Sequence, residues 1–271
     1  MATHAASVVM PLRRQNDEWL EQAVRSVLEQ DVPTELVVVT AADTPRSNLA
    51  VLERLEPTAG GRLAVHRRPR PGFAVALNEG IRRARSDRVG FLFSDDWLAP
   101  DAIRTSLSYA ADIVSGGKQI WAEREDGEFA PIRDWVGTRQ GFEQQATFEA
   151  KARYVSHFLL LSRPKVIEAG GIDESLGDLS GVDDFDLIWT LLEKGASVAF
   201  NDHPVYLVRD HGGDRLTLRG ADEQLVSLRR ILDKHDVDPS ARAEIERFHT
   251  PWYGRTITEV LSEEGGATQG P

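Results

Sequence analysis

An α/β fold with a mostly parallel central sheet flanked by helices is predicted by three observations. Short valine-rich runs alternate with stretches whose apolar residues recur at helical spacing, polar and turn residues separate them, and acidic residues stand directly where one apolar run stops. The first strand is "ASVVM" (6–10). A helix follows, with Asn16 as its N-cap, Asp17 and Glu18 complementing the dipole in its first turn, and Trp19, Leu20, Ala23, Val24, Val27 and Leu28 as one apolar stripe. "ELVVV" (35–39) is the second strand, 46–56 a short helix, "LAVHR" (63–67) the third strand, 73–85 a helix and "RVGFLF" (88–93) the fourth strand. Further on, a strand is expected at 157–162, a helix at 164–169, and helical structure over 221–248 with Leu225, Leu228, Ile231 and Leu232 on one face. The stretch "SEEGGATQGP" reads as a disordered tail.

With 271 residues, 41% hydrophobic and 28% charged, the chain can bury one large core or two small ones. No apolar stretch approaches the roughly 20 residues of a membrane span, and "MATHAASVVMPL" lacks the pattern of a secretory signal, so a soluble, cytoplasmic protein is expected. The absence of cysteine removes disulfides, thiolate nucleophiles and cysteine-bound zinc; any metal must be held by oxygen or imidazole. A net charge of −11 argues against nucleic acid as a partner.

The run "GFLFSDDWLAP" (90–100) drives an apolar strand into Asp95 and Asp96. Ligands of open α/β sheets sit beyond the carboxyl ends of the strands, which is where this pair falls. Two adjacent carboxylates repel unless a cation or hydrogen-bond donors lie between them, and Mg²⁺ or Mn²⁺ favours such ligands. The competing reading is a turn in which one of them caps a helix begun near Pro100. "DDFDL" offers a similar choice: Asp183 as a helix cap with Asp184 in the first turn, or an acidic pair carried on a rigid platform.

Four blocks, in order, carry a family resemblance over roughly residues 5–235. They are "SVVMPLRRQNDEWLEQAVRSVLEQ" with Pro11, Ser26, Val27, Leu28 and Gln30; "GFAVALNEG" with Gly72, Ala76, Asn78 and Gly80; "FLFSDDWLAP"; and "GGIDESLGDLSGVDDFDLIWTLLEKG". Together they resemble the family 2 glycosyltransferases of the GT-A fold. The resemblance implies a Rossmann-like sheet and a metal-dependent, inverting transfer of a hexose-like sugar from a nucleotide-diphosphate donor to an acceptor hydroxyl. The cofactor implied is Mn²⁺ or Mg²⁺. Asp96 is expected to ligate the ion bridging the diphosphate, with Asp95 facing the ribose or a metal-bound water, and His211 in "YLVRDHGGDRLT" is expected to reach the metal or diphosphate. Of the later acidic pair, Asp183 and Asp184, the second is expected to be the general base, since the acceptor hydroxyl must lose its proton as it attacks. Pro11, Asp43 and Asn78 are placed with the donor, and Arg209 and Arg215 are candidates to receive diphosphate charge.

The chain also departs from the family's pattern. Where the family carries D-D-G-S it has Thr40, Ala41, Ala42 and Asp43; after Pro11 stand Leu12, Arg13 and Arg14; Phe93 and Leu77 replace an aspartate and an arginine. These changes keep two alternatives open: a non-catalytic GT-A-like binding protein with a decayed nucleotide site, and a sugar-phosphate nucleotidyltransferase. The second would need a glycine- and lysine-bearing loop after the first strand, which "MPLRRQND" lacks. The basic string "HRRPRPG" (66–72) reads as a solvated loop near the donor entrance. The expected organisation is a nucleotide-sugar-binding half at 1–117, an acceptor-binding half of the same domain at 118–220, a C-terminal helical segment at 221–262 and a disordered tail at 263–271. Trp121, Trp135, Phe142, Phe148, Tyr154 and His157 make 118–157 rich in aromatic rings, which suit a core or a sugar. The acceptor, whether saccharide, lipid-linked saccharide or small molecule, is left open, with room for peripheral membrane contact and a homodimer. There is no Q-x-x-R-W block, so processive polymer export is not expected.

Overall fold

The computed structural model describes residues 4–68, 70, 72–176, 183–213, 218 and 221–267, and the backbone alone for 183 and 264–267. In chain order the strands are β1 (Ala6–Leu12), β2 (Thr34–Thr40), β3 (Leu63–Arg67), β4 (Arg88–Phe91), β5 (Trp97–Leu98), β6 (Ile113–Glu123), β7 (Phe129–Trp135), β8 (Leu159–Ser162) and β9 (Val198–Asp210). The helices are α1 (Asp17–Leu28), α2 (Arg46–Leu55), α3 (Phe73–Arg83), α4 (Ala102–Leu107), α5 (Arg139–Glu143), α6 (Phe148–Tyr154), α7 (Arg163–Ala169), α8 (Asp183–Glu193), α9 (Ala221–Lys234), α10 (Pro239–His249) and α11 (Ile257–Ala267).

The strands form one sheet in the order β3-β2-β1-β4-β8-β6-β9-β5, with β7 added beside β6. Strands β1, β2, β3, β4, β6 and β9 run one way, while β5, β7 and β8 run against them. From β1 the chain steps outward to β2 and β3, then returns to the other flank as β4. This reversal makes the carboxyl ends of β1 and β4 a topological switch point, the place where such sheets bind ligands.

Strand alternation divides the core into two layers. Val8, Met10, Leu36 and Val38 face α1, whose stripe of Leu20, Ala23, Val24 and Val27 is fully buried, each valine or leucine side chain contributing roughly 1.5–3 kcal/mol. Val9, Val89 and Phe91 face the opposite layer, against Leu77 and Ile81 of α3 and Leu187 and Ile188 of α8. Asn16 caps α1 as expected, accepting from the N–H groups of Glu18 (2.9 Å) and Trp19 (3.2 Å).

The family blocks act as clips. Ser26 Oγ accepts from Leu98 N (3.1 Å), and Gln30 donates to Ala99 O (2.7 Å) while accepting from Ile103 N (3.0 Å). Together they fasten the chain just beyond Asp96. A Cβ on Gly80 would lie 2.2 Å from a methyl of Val9, so only glycine lets α3 approach β1 this closely. Asn78, placed with the donor in the sequence reading, does other work. Its Nδ2 donates to Ile172 O (2.8 Å) and Glu174 Oε1 (3.0 Å), and its Oδ1 accepts from Ile172 N (2.9 Å). Gly171 (φ +78°) leaves room for this amide, since a Cβ there would stand 2.5 Å from Asn78 Oδ1. The second and fourth blocks are thus two halves of one lock.

The C-terminal helical pattern breaks into α9 and α10. Asp236 takes a left-handed φ of 47°, Asp238 caps α10 through Ser240 N (2.8 Å), and Pro239 starts the new helix. Residues 263–267, expected in a disordered tail, continue α11, whose start is anchored: Asp210 accepts from Ile257 N (3.0 Å) and Thr258 N (2.7 Å), and Thr256 and Glu259 form a reciprocal cap. Residues 268–271 lie outside the described residues.

Replacing Asn78 by alanine strands the buried Ile172 N–H and C=O. We expect a loss of roughly 2–4 kcal/mol in chemical denaturation, against a few tenths for an exposed control site.

Candidate active site

After Phe91 the chain leaves the sheet and turns: Leu92 N bonds Val9 O (3.1 Å), and Asp96 N closes the turn onto Phe93 O (3.2 Å). Asp96 points inward and is only 5% exposed. Its Oδ1 accepts from Arg209 N (2.8 Å). The Tyr206 hydroxyl accepts from Phe93 N (3.3 Å) and also meets the Asp96 carboxylate. Burial, then the charges of Asp96 and Asp95, push the Tyr206 phenol well above its ordinary pKa, so it stays protonated beside them. Neither aspartate caps α4, which has Asp101 at its N-cap.

Arg209, expected to receive diphosphate charge, is instead enclosed. Its Nε donates to Asp95 O (3.0 Å) and its Nη2 to Gln22 Oε1 (2.5 Å). The guanidinium carbon lies 4.7 Å from the ring centroids of Trp19 and Trp97 and 4.8 Å from that of Phe129. Helical spacing puts Trp19 and Gln22 one turn apart on α1, so both reach the same guanidinium. Burial lowers the Arg209 pKa, while Asp96 and Asp95 raise it in part. The caged cation therefore balances the acidic turn.

His211 follows two residues later at the end of β9. Its Nδ1 accepts from Gly213 N (3.1 Å), its ring lies 4.6 Å from Trp19, and its Nε2 is 3.4 Å from Asp95 Oδ2. The carboxylate of Asp95 and the imidazole of His211 thus converge from two elements. A divalent cation that keeps one or two protein ligands and fills its shell with phosphate oxygens and water suits this pair. Among the described residues no three histidine or carboxylate groups gather as a metal cluster. Asp96, the expected ligand, accepts from Arg209 N with one of its oxygens, while Asp95 Oδ2 is the carboxylate oxygen beside His211.

A second acidic position lies across Phe93 and Tyr206. His157 packs between them, with ring centroids 5.2 and 5.4 Å away, and its Nε2 is 2.7 Å from Asp184 Oδ2. A carboxylate can only accept, so Nε2 carries the proton. Asp184 Oδ1 accepts from Phe185 N (2.9 Å), the local hydrogen bond of a first helical turn. Its side chain stays 28% exposed. Burial raises the Asp184 pKa, but the His157 hydrogen bond and charge, Phe185 N–H and the charge of Lys118 outweigh it, and the net shift is downward. Asp184 is therefore a part-exposed carboxylate that favours its ionised form.

Pro11 is buried in β1 opposite Val39, and Asp43 forms an exposed ion pair with Arg13 (3.0 Å) across the ends of β1 and β2. Arg13 holds the Asp43 carboxyl below its ordinary value. The side chain of Asp183, and Arg215, lie outside the described residues. Sequence reasoning missed His157 as the partner of Asp184, Tyr206 as the partner of Asp96, and the aromatic cage. No motif carries them: they meet through the pairing of β9 with β6 and β5 and the entry of the chain into β8.

A model of the family described as glycosyl transferase family 2 matches residues 7–170. The chain belongs to that family. It is 27% identical over 251 residues to the O-antigen biosynthesis protein RfbC of Myxococcus xanthus, covering 88% of this chain but 18% of that protein. It is 25% identical over 265 residues to the protein MT1568 of Mycobacterium tuberculosis (strain CDC 1551 / Oshkosh), covering 91% and 80% of the two chains. Among solved structures, the mannosyltransferase PcManGT from Pyrobaculum calidifontis, in complex with GDP-Man and Mn²⁺, superposes with a TM-score of 0.64 at 19% identity, covering 100% of this chain and 77% of that one. S. aureus TarS 1–349 in complex with UDP-GlcNAc gives 0.61 at 17% identity, covering 88% and 69%. At these identities the likeness is one of fold, the GT-A fold expected from the sequence. No helix among the described residues is long and apolar enough to cross a membrane.

The lowered Asp184 pKa favours folding in the ionised state: its contribution is complete above about pH 4 and drains away as pH falls through the folded value. Following the Asp184 carboxyl by NMR should give a pKa below the ordinary 3.8, and His157→Ala should move it upward. An unmoved value in that variant would show the pair to be uncoupled in solution.

Proposed function

We propose that the protein transfers a sugar from a nucleoside-diphosphate donor to an acceptor hydroxyl with inversion at the anomeric carbon, assisted by Mn²⁺ or Mg²⁺. The observation that carries this reading is the pairing of Asp184 with His157 directly across Phe93 and Tyr206 from the Asp95–Asp96 turn. One carboxylate site for the leaving diphosphate and one for the attacking hydroxyl thus share a single wall.

Residues 1–117 form the donor side in this reading. Asp95 and His211, at the turn after β4 and the end of β9, would hold the cation beside the donor's diphosphate. When bound, that cation supplies charge neutralisation for the departing diphosphate. Asp96 keeps the turn in place through Arg209 N and Tyr206. Asp43 and Arg13, at the ends of β2 and β1, stand nearest to where the family's nucleobase contact lies.

Residues 118–220 supply the acceptor side. An acceptor hydroxyl donates to an Asp184 oxygen, its own oxygen attacks the anomeric carbon from the face opposite the diphosphate, and the proton passes to Asp184 as the old carbon–oxygen bond breaks. His157, donating to Oδ2, aims the carboxylate and steadies its charge before the proton arrives. The GDP-Man and Mn²⁺ in PcManGT and the UDP-GlcNAc in TarS support the donor class, and no helix of the described residues spans a membrane. We place the acceptor among saccharides, lipid-linked saccharides and small hydroxyl compounds, and the enzyme in the cytoplasm.

Calorimetric titration with UDP, GDP, TDP, CDP and ADP, each with Mn²⁺ and again with EDTA, tests the donor site. We expect one diphosphate to bind in a metal-dependent way, with Asp95→Ala abolishing the dependence. Asp184→Asn should bind the same diphosphate normally yet lose about 10²–10⁴-fold in turnover. Full turnover in Asp184→Asn would remove it as the base.

A further inference from the structure

The residue between Arg209 and His211 grips the start of the C-terminal helix. Arg209 and His211 both lie on Trp19, the guanidinium carbon 4.7 Å and the imidazole 4.6 Å from the centre of its ring. Residues two apart on an extended chain share a side, so Asp210 between them is directed to the other. It is only 4% exposed there and meets the first turn of α11. Its Oδ1 accepts from Ile257 N (3.0 Å), and its Oδ2 accepts from Thr258 N (2.7 Å) and Thr258 Oγ1 (2.5 Å). A carboxylate in this position satisfies N–H groups that a helix start leaves unbonded and complements the helix dipole.

The contact stands where the sheet runs out. On one flank β5 accompanies β9 only as far as Leu207, which lies opposite Trp97. On the other flank the pairing with β6 ends at Asp210 itself, opposite Ala122. Past that point no ladder among the described residues directs the chain toward His211. The α11 contacts, made 47 and 48 residues later in the sequence, hold the last paired residue in place of a neighbouring strand. The helix is a firm anchor for this purpose: Ile257 packs on the core layer that contains α1, Val260 is buried, and Thr256 and Glu259 cap each other.

We propose that Asp210 is a positioning residue for the donor site: clamped by α11, it sets the direction in which the chain leaves β9 and so keeps the His211 imidazole between Trp19 and Asp95. The inference rests on the reading of His211 as a group that holds the cation. A site with two protein groups at its cation loses half of them when one ring swings away, so the contacts that aim that ring matter to it as much as the ring does. The C-terminal helix thereby contributes to the donor site through a residue of β9.

The test reads the imidazole first without metal and then with it. In the metal-free protein we expect an NMR cross-peak between the rings of His211 and Trp19. It should persist in Asp210→Asn, whose amide oxygen still accepts from a helix N–H, and disappear in Asp210→Ala. Calorimetry with the five nucleoside diphosphates, each with Mn²⁺ and again with EDTA, should show the Mn²⁺-dependent gain in affinity reduced about tenfold in Asp210→Ala, with binding in EDTA unchanged. Thr258→Val removes only the hydroxyl bond and should lose less in the same direction; it serves in place of Asp210→Ala should that variant fail to fold. An unchanged ring contact or an unchanged gain would overturn the inference, and so would an equal loss in EDTA, the mark of general damage to the fold. A gain that survives in His211→Ala, or is absent from the wild type, would instead sink the cation reading, and the ring contact alone would then decide whether Asp210 directs His211.

Discussion

Arg209 reaches the turn after β4 with both its main chain and its side chain, and the rest of the site is arranged around that contact. Its N–H fixes the Asp96 carboxylate, its Nε fixes the carbonyl of Asp95, and its charge lies behind both. Two adjacent carboxylates at the end of a buried strand would otherwise push the turn open. Burying a guanidinium is costly in turn, and three aromatic faces from α1, β5 and β7, with Gln22, make it tolerable. The turn is therefore held by the chain's own contacts, with Asp95 beside His211.

The residues that make the family recognisable serve mostly to hold backbone in place. Ser26 and Gln30 secure the segment just past the acidic turn, Gly80 brings α3 down onto Val9, and Asn78 locks Ile172 and Glu174 through a gap that Gly171 leaves open. Each clip joins parts of the chain far apart in sequence: Asn78 is 94 residues from Ile172. A motif of this kind survives in a sequence because its geometry admits one residue type, whether or not that residue meets a substrate.

Much of the fold was legible because it depends on local pattern. The valine runs of β1 and β2, the Asn16 cap and the α1 stripe follow from periodicity and capping chemistry alone. Two local signals were missed at the C-terminus: Asp236 in a left-handed conformation before Asp238 and Pro239, which divides the long helical pattern, and the Thr256–Glu259 cap that starts α11. The acidic positions of the site were legible as well, since Asp95, Asp96 and Asp184 stand at element boundaries where apolar patterns stop. Their division of labour was not. Asp96 is held by a backbone N–H 113 residues away, and Asp184 meets a histidine brought to it by the entry into β8. Nothing local records the three rings that close around Arg209.

Strand β6 pairs with β8 over Ile113–Ser115, with β9 along most of its length and with β7 over Lys118–Glu123. Residues 113–117 and 118–123, on the two sides of the boundary expected from the sequence, are successive stretches of this one strand. An exchange of acceptor halves by recombination would have to cut that strand and re-form its registers on both flanks. Change in such an architecture is therefore easier by substitution along its outer edge than by exchange of halves.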